Sequence, residues 1–172
     1  MSTPERLSVV LVGPMGAGKT SIGRKVAKLL GARFIDTDKR IVLEHGPIAD
    51  LFVEHGEAHF RELEREAVVA ALDEGGVVSL GGGAVTSAET RELLRQHPVV
   101  FLAVSPEAVA DRIRSGTRPL LAGDDDPVVR WTEIYEQRRS WYDEVATLTI
   151  DTSRRPMQRI ADEIAAWRRE QA

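Results

Sequence analysis

Gly13-Pro14-Met15-Gly16-Ala17-Gly18-Lys19-Thr20 has the spacing of a phosphate-binding loop: two glycines five positions apart, then a lysine and a hydroxyl side chain. Its flanks agree. Leu7 to Val12 is a short apolar run rich in β-branched residues, which predicts a buried strand. Ser21 to Leu30 sets Ile22, Val26, Leu29 and Leu30 at helical spacing. Glycines let the backbone wrap a phosphate chain with its N–H groups turned inward, and the new helix adds the positive end of its dipole. Lys19 is then expected at the β- and γ-phosphates and the Thr20 hydroxyl on Mg²⁺. Such a loop implies a nucleoside triphosphate but leaves the reaction open.

Bulk properties narrow the field. The chain has 172 residues, 42% hydrophobic and 29% charged, and reads as one domain over 1–172. Its formal net charge of −4 gives no general footprint for nucleic acid, so clustered arginines need a local explanation. With no cysteine, disulfides, thiol catalysis and cysteine-ligated metals are excluded. Met1 to Arg6 is polar, and no apolar run reaches membrane-spanning length, so a cytoplasmic protein without a membrane partner is expected.

Outward from the loop, Arg33 to Asp36 reads as a second strand closing in Asp36-Thr37-Asp38. On an extended backbone the two carboxylates share one face, at the carboxyl edge where open α/β sheets bind ligands. One is expected near Mg²⁺ and the other at the phosphate acceptor; the competing reading is a helix N-cap. Ile41–Glu44, Ile48–Glu54 and Glu57–Leu72 read as an inserted set of helices broken at Gly46-Pro47 and Gly56. In the last of these Arg61 and Glu64 form an i,i+3 pair, while Phe52 and Phe60 read as core residues. Val77 to Leu80 is a third strand running into Gly81-Gly82-Gly83, where backbone can approach a ligand closely. Val99–Val104 and Leu148–Ile150 supply two more strands. Helices are expected from Thr86 or Ser87 to about Gln96, from Pro106 to about Arg114, over Val128–Tyr142 and over Met157–Arg169. Ser115 to Pro127, carrying Arg118, reads as a mobile segment able to close over phosphate. Five strands alternating with helices predict an α/β fold, a parallel sheet with helices on both faces.

Size, the helical insertion and the absence of an Asn-Lys-x-Asp motif favour a small-molecule kinase over a motor ATPase or a GTPase. Arg61 and Arg138 converging on one pocket would suit an anionic acceptor, since guanidinium pairs bidentately with carboxylate. Kinases of gluconate or a nucleoside monophosphate, and a non-catalytic nucleotide-binding regulator, are the rivals.

Six matching pieces bear on that choice: the loop through Lys19, Phe34-Ile35-Asp36-Thr37-Asp38, Gly56-Glu57 with Phe60-Arg61-x-x-Glu64, Leu80-Gly81-Gly82-Gly83, Arg118-Pro119-Leu120-Leu121 and Arg138-x-x-x-Tyr142. In this order and spacing they resemble shikimate kinase over nearly the whole chain. The resemblance implies a five-stranded, three-layer sandwich like that of nucleoside monophosphate kinases. It places a substrate-binding insertion at about 37–64 and a lid at about 115–127. It implies transfer of the γ-phosphoryl of ATP to the 3-hydroxyl of shikimate by a monomer using Mg²⁺. Residue by residue, it implies that Gly16, Ala17, Gly18, Lys19, Thr20 and Ser21 bind the phosphates, with Thr20 and Asp36 on the metal. Asp38 would be the base. Arg61, Arg138 and Gly81-Gly82-Gly83 would hold the acceptor, with Phe52, Phe60, Pro119 and Leu120 as its walls. Arg118 would reach the phosphates; Arg155, Pro156 and either Arg112 or Arg114 would lie at the adenine. Thr20-Ser21 reverses the family's commoner Ser-Thr order and keeps a hydroxyl for the metal.

Overall fold

The computed structural model describes residues 8–114 and 126–171, with Ile113 and Arg114 in backbone only. Five strands form one sheet: β1 (Val9–Val12), β2 (Phe34–Asp36), β3 (Val77–Ser79), β4 (Val99–Ala103) and β5 (Leu148–Asp151). They lie in the order β2-β3-β1-β4-β5, and every pairing is parallel. A parallel sheet is covered on both faces, which is why β1, the central strand, reads Val-Val-Leu-Val and is wholly buried.

Among the described residues eight α-helices flank the sheet: α1 (Lys19–Leu30), α2 (Thr37–His45), α3 (Ile48–His55), α4 (Glu57–Glu74), α5 (Ala88–Leu94), α6 (Pro106–Arg114), α7 (Pro127–Val145) and α8 (Met157–Glu170). Alternation along the sheet assigns their faces. Leu11 lies under α1 at Gly23. Phe101, beside Val12 in the register, points the other way and stacks on Tyr142 of α7. Helices α1 and α8 pack together on the first face. A second, smaller core of Ile41, Leu51 and Phe60 holds α2, α3 and α4 to one another, so the insertion is a packed unit. No helix among the described residues is long and apolar enough to cross a membrane.

One expectation fails at the end of β2. The chain does not stay extended through Asp38; α2 begins at Thr37 rather than Ile41. Asp36 ends the strand, and its Oδ1 accepts from the Lys39 N–H at 3.2 Å, capping the helix. Asp38 therefore sits in the first helical turn, and its nearness to Asp36 comes from the cap. Other boundaries move by a few residues: α5 stops at Leu94 and α7 runs on to Val145.

Candidate active site

The loop between β1 and α1 is held from outside by its carbonyls. Lys19 Nζ donates to Gly13 O at 2.7 Å and to Pro14 O at 3.0 Å. Trp131 Nε1 donates to Met15 O at 2.7 Å, Arg112 Nη1 to Gly16 O at 2.5 Å, and Thr152 Oγ1 to Ala17 O at 3.1 Å. Gly16, with φ +86°, leaves no room for a Cβ, which would lie 2.4 Å from Val109 Cγ2. Gly18 caps α1 in the left-handed region at φ 94°. With the carbonyls engaged, the amides at the head of α1 are what the loop can offer an anion.

Thr20 Oγ1 donates to Asp36 Oδ2 at 3.2 Å. Asp36 thus caps α2 with one oxygen and meets the Thr20 hydroxyl with the other. Two adjacent hard oxygen donors fit Mg²⁺, which keeps several waters and takes further oxygens from phosphate. Among the described residues no group of three or more acidic or histidine side chains could hold a metal alone. The donor set suits an ion that arrives with its ligand.

The second half of the site lies where β3 ends. Asp38, Arg61 and Arg138 come from α2, α4 and α7 and meet the run Gly81-Gly82-Gly83. A Cβ on Gly81 would lie 2.5 Å from Asp38 Oδ1, one on Gly83 2.4 Å from Arg61 Nη1, and one on Gly82 3.7 Å from Arg138 Nη1. All three glycine carbonyls accept within the chain. Gly81 O takes the Ala84 N–H, Gly82 O the Tyr142 hydroxyl at 2.5 Å and Gly83 O the Thr86 hydroxyl at 2.7 Å. None of the three glycine N–H groups donates to a backbone carbonyl among the described residues. Gly82 also adjoins the first loop, its Cβ position 3.6 Å from Gly13 O.

Charge here is balanced and partly buried. Burial raises the Asp38 carboxyl, and Asp36 adds to the shift, against the pull of Lys19 and Arg61. Arg61 donates to Glu64 at 2.8 Å and to Glu57 at 3.3 Å, its guanidinium 5.2 Å from the Phe60 ring centre. Phe60 is core, as its residue type suggested, with Phe52 against it at 5.0 Å. Arg139, next to Arg138 on α7, is exposed and lies over Tyr135.

Glu64 carries a testable consequence. Burial pushes its carboxyl from 4.5 up to about 7, against the attraction of Arg61. A raised carboxyl pKa means that the folded chain holds the proton longer. The stability it contributes is whole below about pH 4.5 and is lost as pH rises through about 7. Glu64→Gln should flatten that part of the stability profile. The difference in Tm between pH 5 and pH 8, compared for wild type and variant, measures it; equal differences in the two proteins would remove Glu64 as the cause.

Other expected residues sit nearby in a different setting. Thr152 and Met157 adjoin the loop at Ala17 and Gly18, which brings the intervening Arg155-Pro156 turn beside it. Arg155 is exposed and pairs with Glu163 of α8, and Pro156 is that helix's N-cap. Arg118, Pro119, Leu120 and residues 115–125 of the expected lid lie outside the described residues, as does the side chain of Arg114. Trp131 and Thr152 were not singled out by sequence reasoning, and Tyr142 entered only as the end of the Arg138-x-x-x-Tyr142 piece. For Trp131 a signal existed: a buried indole N–H needs an acceptor.

Comparison with known proteins agrees with the geometry. The family model for shikimate kinase matches residues 15–168. A shikimate kinase of Corynebacterium efficiens is 48% identical over 158 residues, covering 91% of this chain and 93% of that protein. One from Salinispora arenicola is 47% identical over 160 residues, covering 91% and 95%. The structure of shikimate kinase from Acinetobacter baumannii in complex with shikimate superposes with a TM-score of 0.88 at 36% identity, covering 95% of this chain and 93% of that one. With a match that runs from the phosphate-binding loop into the last helix, the chain belongs to the shikimate kinase family.

Proposed function

We propose that this chain transfers the γ-phosphoryl group of ATP to the 3-hydroxyl of shikimate, giving 3-phosphoshikimate and ADP on the route to chorismate and the aromatic amino acids. One observation supports the acceptor side most directly. Asp38 Oδ1 and Arg61 Nε are the buried side-chain polar atoms left without a partner among the described residues. Buried polar groups are normally satisfied, so two orphans of opposite charge in one pocket suit a ligand carrying hydroxyls and a carboxylate.

In this reading the amides of Gly16 to Ser21 take the phosphates and Lys19 neutralises their charge. Thr20 and Asp36 hold Mg²⁺, which screens the phosphate oxygens when bound. Arg61, Arg138 and the Gly82 amide take the acceptor carboxylate, with Gly81 and Gly83 leaving room and Phe52 and Phe60 backing the pocket. Asp38 orients the hydroxyl and accepts its proton as the new O–P bond forms and the bond from Pγ to the β-phosphate oxygen breaks. Most of the rate comes from positioning and charge neutralisation, as phosphoryl transfer demands. Arg112, Arg155 and Pro156 border the nucleotide. Every residue invoked belongs to one connected site, which supports reading the chain as a single domain.

A coupled assay of ADP release with shikimate, gluconate and nucleoside monophosphates tests this. ADP should appear with shikimate alone and stop when EDTA removes Mg²⁺. Release that ignores the acceptor, or that responds to gluconate, would overturn the assignment.

A further inference from the structure

Tyr142 is 1% exposed, and its ring stacks on Phe101 at 5.0 Å. Packing accounts for the ring but not for the oxygen, since phenylalanine would fill the same space with no polar atom to satisfy. The hydroxyl donates to Gly82 O at 2.5 Å. Burial holds the phenol up at about 12, so it remains a donor at neutral pH. Arg138 lies one turn earlier on the same face of α7, close enough that its charge opposes that shift. Its Nη1 stands 3.7 Å from the Cβ position of Gly82. A second tie lies just downstream: Arg91 of α5 donates to Val85 O at 2.7 Å and pairs with Glu144 of α7 at 3.0 Å. The turn that follows the glycine run is thus also tied to α7, and the tie nearer the ligand groups is the tyrosine hydroxyl.

We infer that Tyr142 is a positioning residue of the acceptor site, its hydroxyl setting the spacing between the Gly82 backbone and the Arg138 guanidinium that together receive the acceptor's carboxylate. The inference rests on the proposed roles of Arg138 and Gly82. Without the hydroxyl the Gly82 carbonyl loses its donor, the 82–83 peptide is free to turn, and the two halves of the grip lose their common reference. The cost falls on acceptor binding, because neither the phosphate loop nor Asp38 is touched by this bond.

Tyr142→Phe keeps the ring and removes only the oxygen. It should raise the KM for shikimate about tenfold, the effect of losing one well-formed hydrogen bond. It should leave kcat and the KM for ATP within about twofold and far-UV circular dichroism unchanged. In an Arg138→Ala background the same change should raise KM by less than about twofold, because coupled residues are not additive. An unchanged KM in the single variant, or a full tenfold rise in the Arg138→Ala background, would overturn the inference. Wild-type protein that fails to use shikimate sinks the activity itself; active wild type with an unaffected Tyr142→Phe variant sinks only the tyrosine's role.

Discussion

Asp38→Asn is expected to lower kcat by about a thousandfold while ATP binding stays at the wild-type level, since a positioned general base is worth about 10²–10⁴. Asparagine matches aspartate in size and can still orient a hydroxyl, but it cannot take the proton. The surroundings of Asp38 suit that duty. Burial and Asp36 raise its carboxyl, making it a better acceptor than a solvated aspartate, while Lys19 and Arg61 keep the anion populated. The raised pKa has a sign: as pH falls, Asp38 takes its proton earlier than an ordinary aspartate, so kcat/KM should begin to drop at a higher pH. The loop carbonyls are held by Trp131, Arg112 and Thr152 and not by Asp38, which is why nucleotide affinity should survive. Single-turnover phosphoryl transfer, with ATP affinity measured separately, checks both halves. Turnover near wild type in a folded Asp38→Asn protein would remove Asp38 from the chemistry.

The sheet was legible because parallel, doubly covered strands must be apolar throughout. Val9–Val12, Val77–Ser79 and Val99–Ala103 advertise themselves as such. The order of those strands was not, because it depends on which helices fit over which face, and no local pattern carries that. The donor half of the site was legible for a similar reason: a phosphate loop is local in sequence, so strand, glycines, lysine and helix appear together. What holds that loop was not. Trp131, Arg112 and Thr152 come from three elements far along the chain, and each looks like an ordinary residue of its own helix or turn.

The Asp36-Thr37-Asp38 run shows where local reasoning goes wrong. Strand geometry was invoked to bring two carboxylates together, yet the Asp36 cap on Lys39 starts a helix there instead. A capping carboxylate and a strand-end carboxylate look alike in sequence. Here one side chain is both, having two oxygens to divide between the helix and Thr20.

The three-glycine run gives the second large effect, and it separates the two kinds of residue around the acceptor. Glycines at a ligand site are usually explained by close approach of the ligand itself. Here two of the three are filled from the protein side: the volume a Cβ would take at Gly81 belongs to the Asp38 carboxylate, and at Gly83 to the Arg61 guanidinium. Neither glycine has positive φ, so alanine carries little backbone strain, and both obstructing groups are ends of side chains that can move. The fold should therefore survive both changes with Tm altered by only a few degrees, while the displaced group fails at its task. Gly81→Ala pushes the base away from the hydroxyl and should lower kcat about a hundredfold, the typical result of misplacing a catalytic group by about 1 Å. Gly83→Ala moves Arg61 off the carboxylate and should raise the KM for shikimate about tenfold, with kcat little changed, because the contact is remote from the reacting atoms. Gly82 is the internal control. A Cβ there meets protein atoms no closer than 3.6 Å, so a large effect of Gly82→Ala would have to come from the ligand. Steady-state kinetics with both substrates varied distinguishes the three. Equal losses of kcat and KM in Gly81→Ala and Gly83→Ala would show that the run acts as a single flexible turn, not as two separate seats for Asp38 and Arg61.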